Sequence, residues 1–293
     1  MEEFNTKSKS LDNIQSNPES IDSILETIDI DSVHECLKEE FKIPLHQELN
    51  IVKKDNIKSV PTEEYGLYRI DSHSIDVSSK IFTSTFSKNE SGAKLLSLEI
   101  VCHEQVHAVS PRNKSVEEEI NSGFSSCLLG KDNKRILYSN FDLFNEGVVE
   151  KIARDVFVNY LNKNREYATE KGKNKFMSLW NSSSLAKDRP REQEFRLVEL
   201  LVERLARESG FEKEFVWNAI KQAYINGDEI FDEDLKLELR KILPEDFIPK
   251  LATYIPPDIF RKESDYGYLV KVLKEDKSKN FLKKIINKIN SLI

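Results

Sequence analysis

The sequence predicts an α+β protein: a small mixed lobe with a small β-sheet, followed by a mainly helical lobe. Three observations carry that prediction. "YGLYRIDSHSIDVSSKIFTSTF", residues 65–86, is rich in β-branched and aromatic residues that partly alternate, as strands require. Residues 116–142 read as a β-hairpin around the turn "GKDN". From Phe144 onward, apolar residues recur at helical rather than strand spacing.

Taken in order, residues 1–20 are polar, with Asn, Ser and Pro scattered among them, and are expected to be disordered. Over residues 21–41, Ile24, Leu25, Ile28, Ile30, Val33 and Leu37 follow a helical stripe imperfectly, and Pro44 and Pro61 punctuate the mixed segment after it. One or two strands are expected over residues 65–86. In "SKNESGAKLLSLEIVCHEQVHAVSP", Leu95, Leu96, Ile100, His103 and His107 step along one helical face, and Pro111 closes the helix. A strong helix follows over residues 144–161, with Val148, Val149, Ile152, Val156, Phe157 and Tyr160 as its apolar face. Residues 162–190 turn polar, with "NSSSLAKDRP" as a loop. Helices resume at "EQEFRLVELLVERLARESG", where Gly210 is the stop, and at "EFVWNAIKQAYINGD" and "DEDLKLELRKIL". The chain thus divides into a disordered start (1–20), a mixed lobe (21–142), a helical lobe (143–270) and a terminal segment (271–293).

Composition narrows the function classes. With 39% hydrophobic and 32% charged residues, the 293-residue chain can fill a core and stay soluble. A formal net charge of −7 argues against general nucleic-acid binding, which needs a basic face to neutralise phosphates. Neither a P-loop nor a dinucleotide fingerprint occurs. The amino terminus lacks the basic start and apolar core of a secretory signal, and no apolar run approaches bilayer-spanning length. Cys36, Cys102 and Cys127 show no CxxC spacing, so neither a zinc ribbon nor a disulfide framework is indicated. These features read as a cytoplasmic protein without a transmembrane segment.

The chemistry concentrates in "LEIVCHEQVHAVS". Residues four apart share a helical face, so His103 and His107 can offer two imidazole nitrogens to one ion. Zinc suits nitrogen and oxygen ligands, and a catalytic zinc takes three protein ligands plus water. Glu104 follows the first histidine, where its carboxylate can reach that water; this is the HExxH pattern. No histidine follows His107, so a third histidine ligand downstream is excluded. Instead "FNEGVVEKIARD" opens the next strong helix, with Glu146 and Glu150 four apart on one face. Glu146 can be the third ligand, and Glu150 can orient an imidazole from behind.

On these residues the chain resembles the gluzincin metallopeptidases, the thermolysin-like class, in which HExxH lies on one helix and a glutamate on the next completes the zinc site. The match covers His103, Glu104 and His107 in the first motif, and Glu146 with Glu150 in the second, within residues 65–161. "NEG" with a later glutamate is also typical of uncharacterised bacterial members. The resemblance implies a zincin-like core, one zinc ion, Glu104 as general base, and hydrolysis of peptide bonds in a peptide or protein substrate. Two departures stand out. Thirty-eight residues separate His107 from Glu146, more than in thermolysin-like enzymes, and the downstream histidine of that class has no counterpart.

A second oxyanion donor has no clear owner; Tyr138, Tyr224 and Tyr254 are candidates, each more simply read as a core or surface tyrosine. A substrate would add to an exposed sheet edge. Ser74–Val77 is the expected edge on the resemblance, with His73 beside it read as solvated and Cys102 as a small buried side chain. "KVLKEDKSKNFLKKIINKINSLI", residues 271–293, carries seven lysines against two acids and an apolar stripe. It suits packing on its own domain first, and contact with a membrane surface or a partner second. The alternative to a peptidase is a zincin-fold binding or regulatory protein that does not turn over.

Overall fold

Ser20 and Asp29 start two helices where the stripe over residues 21–41 predicts one. The computed structural model describes residues 20–43, 47–61, 64–70, 72–87, 89–110, 119–129, 136–180, 191–226, 243–253 and 264–275. Helix α1 (Ile21–Glu26) is capped by the Ser20 side chain on Ser23 N, and α2 (Ile30–Glu40) by the Asp29 side chain on Ser32 N. Each cap satisfies an amide that has no partner inside its helix. Asp29 takes an extended backbone between them, which is why the apolar stripe slips at residues 27–29.

Strands β1 (Ile57–Ser59), β2 (Gly66–Arg69) and β3 (Ser74–Val77) form one sheet in the order β1-β3-β2. β3 runs parallel to β1 and antiparallel to β2, with Leu67 opposite Asp76 and Tyr68 opposite Ile75. Ser74–Val77 is therefore the central strand, not the edge, and all four of its residues are buried. Its second neighbour is a three-residue parallel strand with no periodicity of its own to announce it. The edge strands of this sheet are β1 and β2. His73 is not solvated either: Nε2–H donates to Ile51 O (2.8 Å) and Nδ1 accepts from Tyr68 OH (2.9 Å).

Helix α3 (Glu90–Val109) is capped by Asn89 on Gly92 N and is buried on almost every side. Strands β4 (Glu119–Ser122), β5 (Ser125–Leu129) and β6 (Ile136–Asn140) follow as an antiparallel meander. The β5–β6 pairing is the expected hairpin, although its "GKDN" turn lies outside the described residues, and β4 adds a third strand. Helix α4 (Asp142–Lys163) comes next, then α5 (Glu170–Trp180), in a stretch that reads as polar in sequence. Its two buried aromatic residues, Phe176 and Trp180, pack on Phe86 at ring separations of 6.2 and 5.2 Å, so tertiary contact rather than pattern holds this helix. Helices α6 (Glu192–Ser209), α7 (Lys213–Asn226), α8 (Phe247–Thr253) and α9 (Ser264–Lys274) complete the described chain. Gly210 ends α6 in the left-handed conformation, φ 71°.

The architecture is mixed α+β and mostly helical. The sheet lies against α3, α4 packs on α3, and α2 and α6 pack on α4. One cluster of buried apolar side chains runs from Ile21 to Leu273 and crosses the position-142 boundary. Among the described residues no helix is long and apolar enough to cross a membrane. Residues 1–19, "NSSSLAKDRP", most of "DEDLKLELRKIL", Tyr254 and residues 276–293 lie outside the described set.

Buried His34 on α2 sets a pH limit on this fold. Burial drives its pKa down to about 4, outweighing the charge of Asp31, and its Nε2 has no hydrogen-bond partner. A lowered histidine pKa means the unfolded chain takes up the proton first, so stability falls as pH drops from about 6.5 to 4. The contribution is about 3 kcal/mol at full loss. His34→Leu is expected to flatten the dependence of Tm on pH in that window; an unchanged slope relative to wild type would contradict the assignment.

Candidate metal centre

Helices α3 and α4 pack so that the two halves of the sequence pattern meet. His103 Nε2 lies 3.3 Å from Glu146 Oε2, and His107 Nε2 lies 3.3 Å from Glu146 Oε1. One ligand atom from each of the three residues falls within 4.8 Å of the others, the one such His/Cys/Asp/Glu cluster among the described residues. The imidazole rings stand edge to face with centroids 5.0 Å apart.

The donor set fits zinc. It offers two imidazole nitrogens and one carboxylate, the composition of a three-ligand catalytic site. Bonds of about 2.0–2.1 Å in a tetrahedron place ligand atoms about 3.3 Å apart; His103 Nε2 and His107 Nε2 each lie 3.3 Å from Glu146, on Oε2 and Oε1 respectively.

Behind the cluster, His103 Nδ1–H donates to Glu150 Oε2 at 3.0 Å. Glu150 is in turn held by Arg154, whose Nε lies 2.6 Å from Oε1, and Arg154 reaches Glu192 on α6. A carboxylate on the far nitrogen fixes the ring and its tautomer, which is the support a metal-binding histidine needs. Glu150 stands one turn after Glu146 on α4, between His103 and Arg154. Arg154 was overlooked, though its spacing of four from Glu150 is a readable signal.

The electrostatics are tightly balanced. Burial disfavours the charged ring of His103, but hydrogen bonds to Glu146 and Glu150 outweigh it and raise its pKa to about 10. Burial also opposes ionisation of Glu146, yet His107, Arg191 and the hydrogen bond to His103 hold it well below the usual carboxylate range. Arg191 Nη1 lies 2.7 Å from Glu146 Oε2. No local pattern links Arg191 to Glu146, which stands 45 residues earlier. One turn before His103, Glu99 is buried, and burial with the charge of Glu150 pushes its pKa up to about 8. An acid inside "LEIVC" was its visible signal.

Glu104 faces the sheet. Tyr68 N–H on β2 donates to its Oε2 at 2.8 Å, and Gly66 leaves room for the side chain, since a Cβ there would lie 3.0 Å from Oε1 and 2.4 Å from Ile100 Cγ2. The "NEG" triplet divides its labour among three neighbours. Asn145 Oδ1 accepts from Phe124 N–H in the β4–β5 turn at 2.9 Å, Glu146 joins the histidines, and Gly147 lets α6 approach α4.

The tyrosine candidates separate. Tyr224 is fully buried and donates its hydroxyl to Val106 O on α3 at 3.2 Å, so it is a packing residue. The Tyr138 side chain and all of Tyr254 lie outside the described residues. Cys102 is fully buried, and burial drives its thiol pKa well up. The chain matches no protein-family model, no curated protein and no solved structure.

Proposed function

We propose that this protein is a zinc-dependent metallopeptidase in which His103, His107 and Glu146 hold the ion and Glu104 is the general base. The observation that supports this reading is the convergence of three ligand atoms within 4.8 Å, with Glu104 one residue along the same helix. When bound, zinc would supply a Lewis acid that polarises the scissile carbonyl and acidifies the attacking water. Glu104 would take a proton from that water as it attacks the carbonyl carbon, then deliver it to the leaving amine nitrogen as the C–N bond breaks. Glu150, steadied by Arg154, would keep His103 Nε2 directed at the ion. An extended peptide would lie along the edge strand β2, where Tyr68 N–H already meets Glu104.

One observation favours a second reading, a zincin-fold binding or regulatory protein without turnover. The carboxylate of Glu104 is committed to the Tyr68 amide and packed against Gly66. Oε2 is taken by the amide, so Oε1, which lies beside Gly66, is the oxygen left to reach water.

Metal analysis and a proteome-derived peptide library separate the readings. Wild type is expected to carry one zinc per chain, and His107→Ala to lose it. Cuts that vanish with a chelator and return with zinc would support the peptidase. Stoichiometric zinc without cuts would favour the second reading, and a chain that takes up no zinc would sink the peptidase.

A further inference from the structure

Arg191 is the one cation in direct contact with the ligand cluster among the described residues, and it occupies a position where arginine is a poor local choice. It is the N-cap of α6, has φ 55°, and makes no side-chain cap hydrogen bond. Helix N-caps favour Ser, Thr, Asp or Asn, and the left-handed region favours glycine or asparagine. Local preference therefore does not account for arginine here, and a contact elsewhere is the place to look. The contact here is Nη1 on Glu146 Oε2 at 2.7 Å.

The geometry of Glu146 gives that contact a purpose. Its Oε1 faces His107, while Oε2 faces both His103 and Arg191. A carboxylate free to rotate can offer either oxygen, or both, to an ion. A guanidinium on Oε2 removes that freedom and leaves Oε1 as the oxygen on offer. His103 receives the same treatment from Glu150, so two of the three proposed ligands would be held from behind. Exposure is consistent with this role: the Arg191 side chain is 31% accessible and Glu146 19%, so the pair lies at the open side of the cluster.

Resting on the zinc reading, we propose that Arg191 is a positioning residue for Glu146: its hold on Oε2 fixes the rotation of the carboxylate, so that Oε1 is the oxygen it would offer the ion. Lysine would supply the charge without the planar fork.

The test measures zinc affinity by competition with a chromophoric chelator, on full-length wild type, Arg191→Lys and Arg191→Asn, with Tm of the chelator-stripped proteins alongside. Asparagine suits both the cap and the left-handed backbone, so stripped Arg191→Asn is expected to melt at or about 2 °C above wild type. Its zinc affinity is expected to fall about 10- to 100-fold, the loss typical when the group behind a ligand is removed. Arg191→Lys should lie between. Equal affinity in Arg191→Asn and wild type would overturn the positioning role. Tighter binding in Arg191→Asn would also overturn it, by showing that Arg191 competes with the ion. A wild type that takes up no zinc, by contrast, would overturn the zinc reading and this inference together.

Discussion

Glu104→Gln is expected to lower peptide cleavage by roughly a hundred- to ten-thousand-fold, the usual worth of a general base, while leaving zinc content and Tm near wild type. Glutamine is the informative substitution because of what Glu104 touches. Its carboxylate accepts the Tyr68 amide at 2.8 Å inside the protein. A glutamine carbonyl can accept the same hydrogen bond but cannot take a proton from water. Alanine would leave the buried Tyr68 N–H without a partner, at a cost of about 1–3 kcal/mol, and would confuse lost chemistry with lost structure. Steady-state cleavage with metal content measured on the same preparation checks the expectation. Full activity in Glu104→Gln would remove Glu104 from the mechanism and with it the proposed hydrolytic route.

Gly147→Ala is expected to destabilise the protein by about 1–3 kcal/mol or more and to weaken zinc binding at the same time. A Cβ at Gly147 would lie 2.3 Å from Glu194 O and 2.7 Å from Val198 Cγ2 on α6. The first of these is backbone, so the helix itself would have to shift, and Arg191 starts that helix. The same substitution at Gly267 in α9 is the control, because a Cβ there meets nothing within 4 Å. Gly267→Ala should stabilise by up to about 1 kcal/mol through helix propensity alone. Two glycine-to-alanine changes inside helices are thus expected to move Tm in opposite directions. A Gly147→Ala protein as stable as wild type would show that α4 and α6 are not so closely packed.

Most helices were legible because their signals are local. The stop at Gly210 and the apolar face of α4 both follow from residues within a turn or two of one another. What was misread involves partners far along the chain. The break between α1 and α2 falls at Asp29, whose N–H donates to Tyr160 OH on α4, α5 depends on Phe86, and the rank of Ser74–Val77 in its sheet depends on β1. A strand's sequence shows that it pairs, but not how many neighbours it has.

The same division runs through the candidate site. His103, Glu104 and His107 share a helix, and Glu146 and Glu150 share another, so helical spacing by itself determined which side chains point together within each pair. Only the packing of α3 on α4 decided that the pairs meet, with His103 between Glu146 and Glu150. Only the close approach of α6 at Gly147 decided that Arg191 reaches Glu146. The physical reason is range. Backbone periodicity extends over a few residues and is written in neighbouring letters, whereas the choice of a distant partner depends on which faces of the whole chain can be buried together.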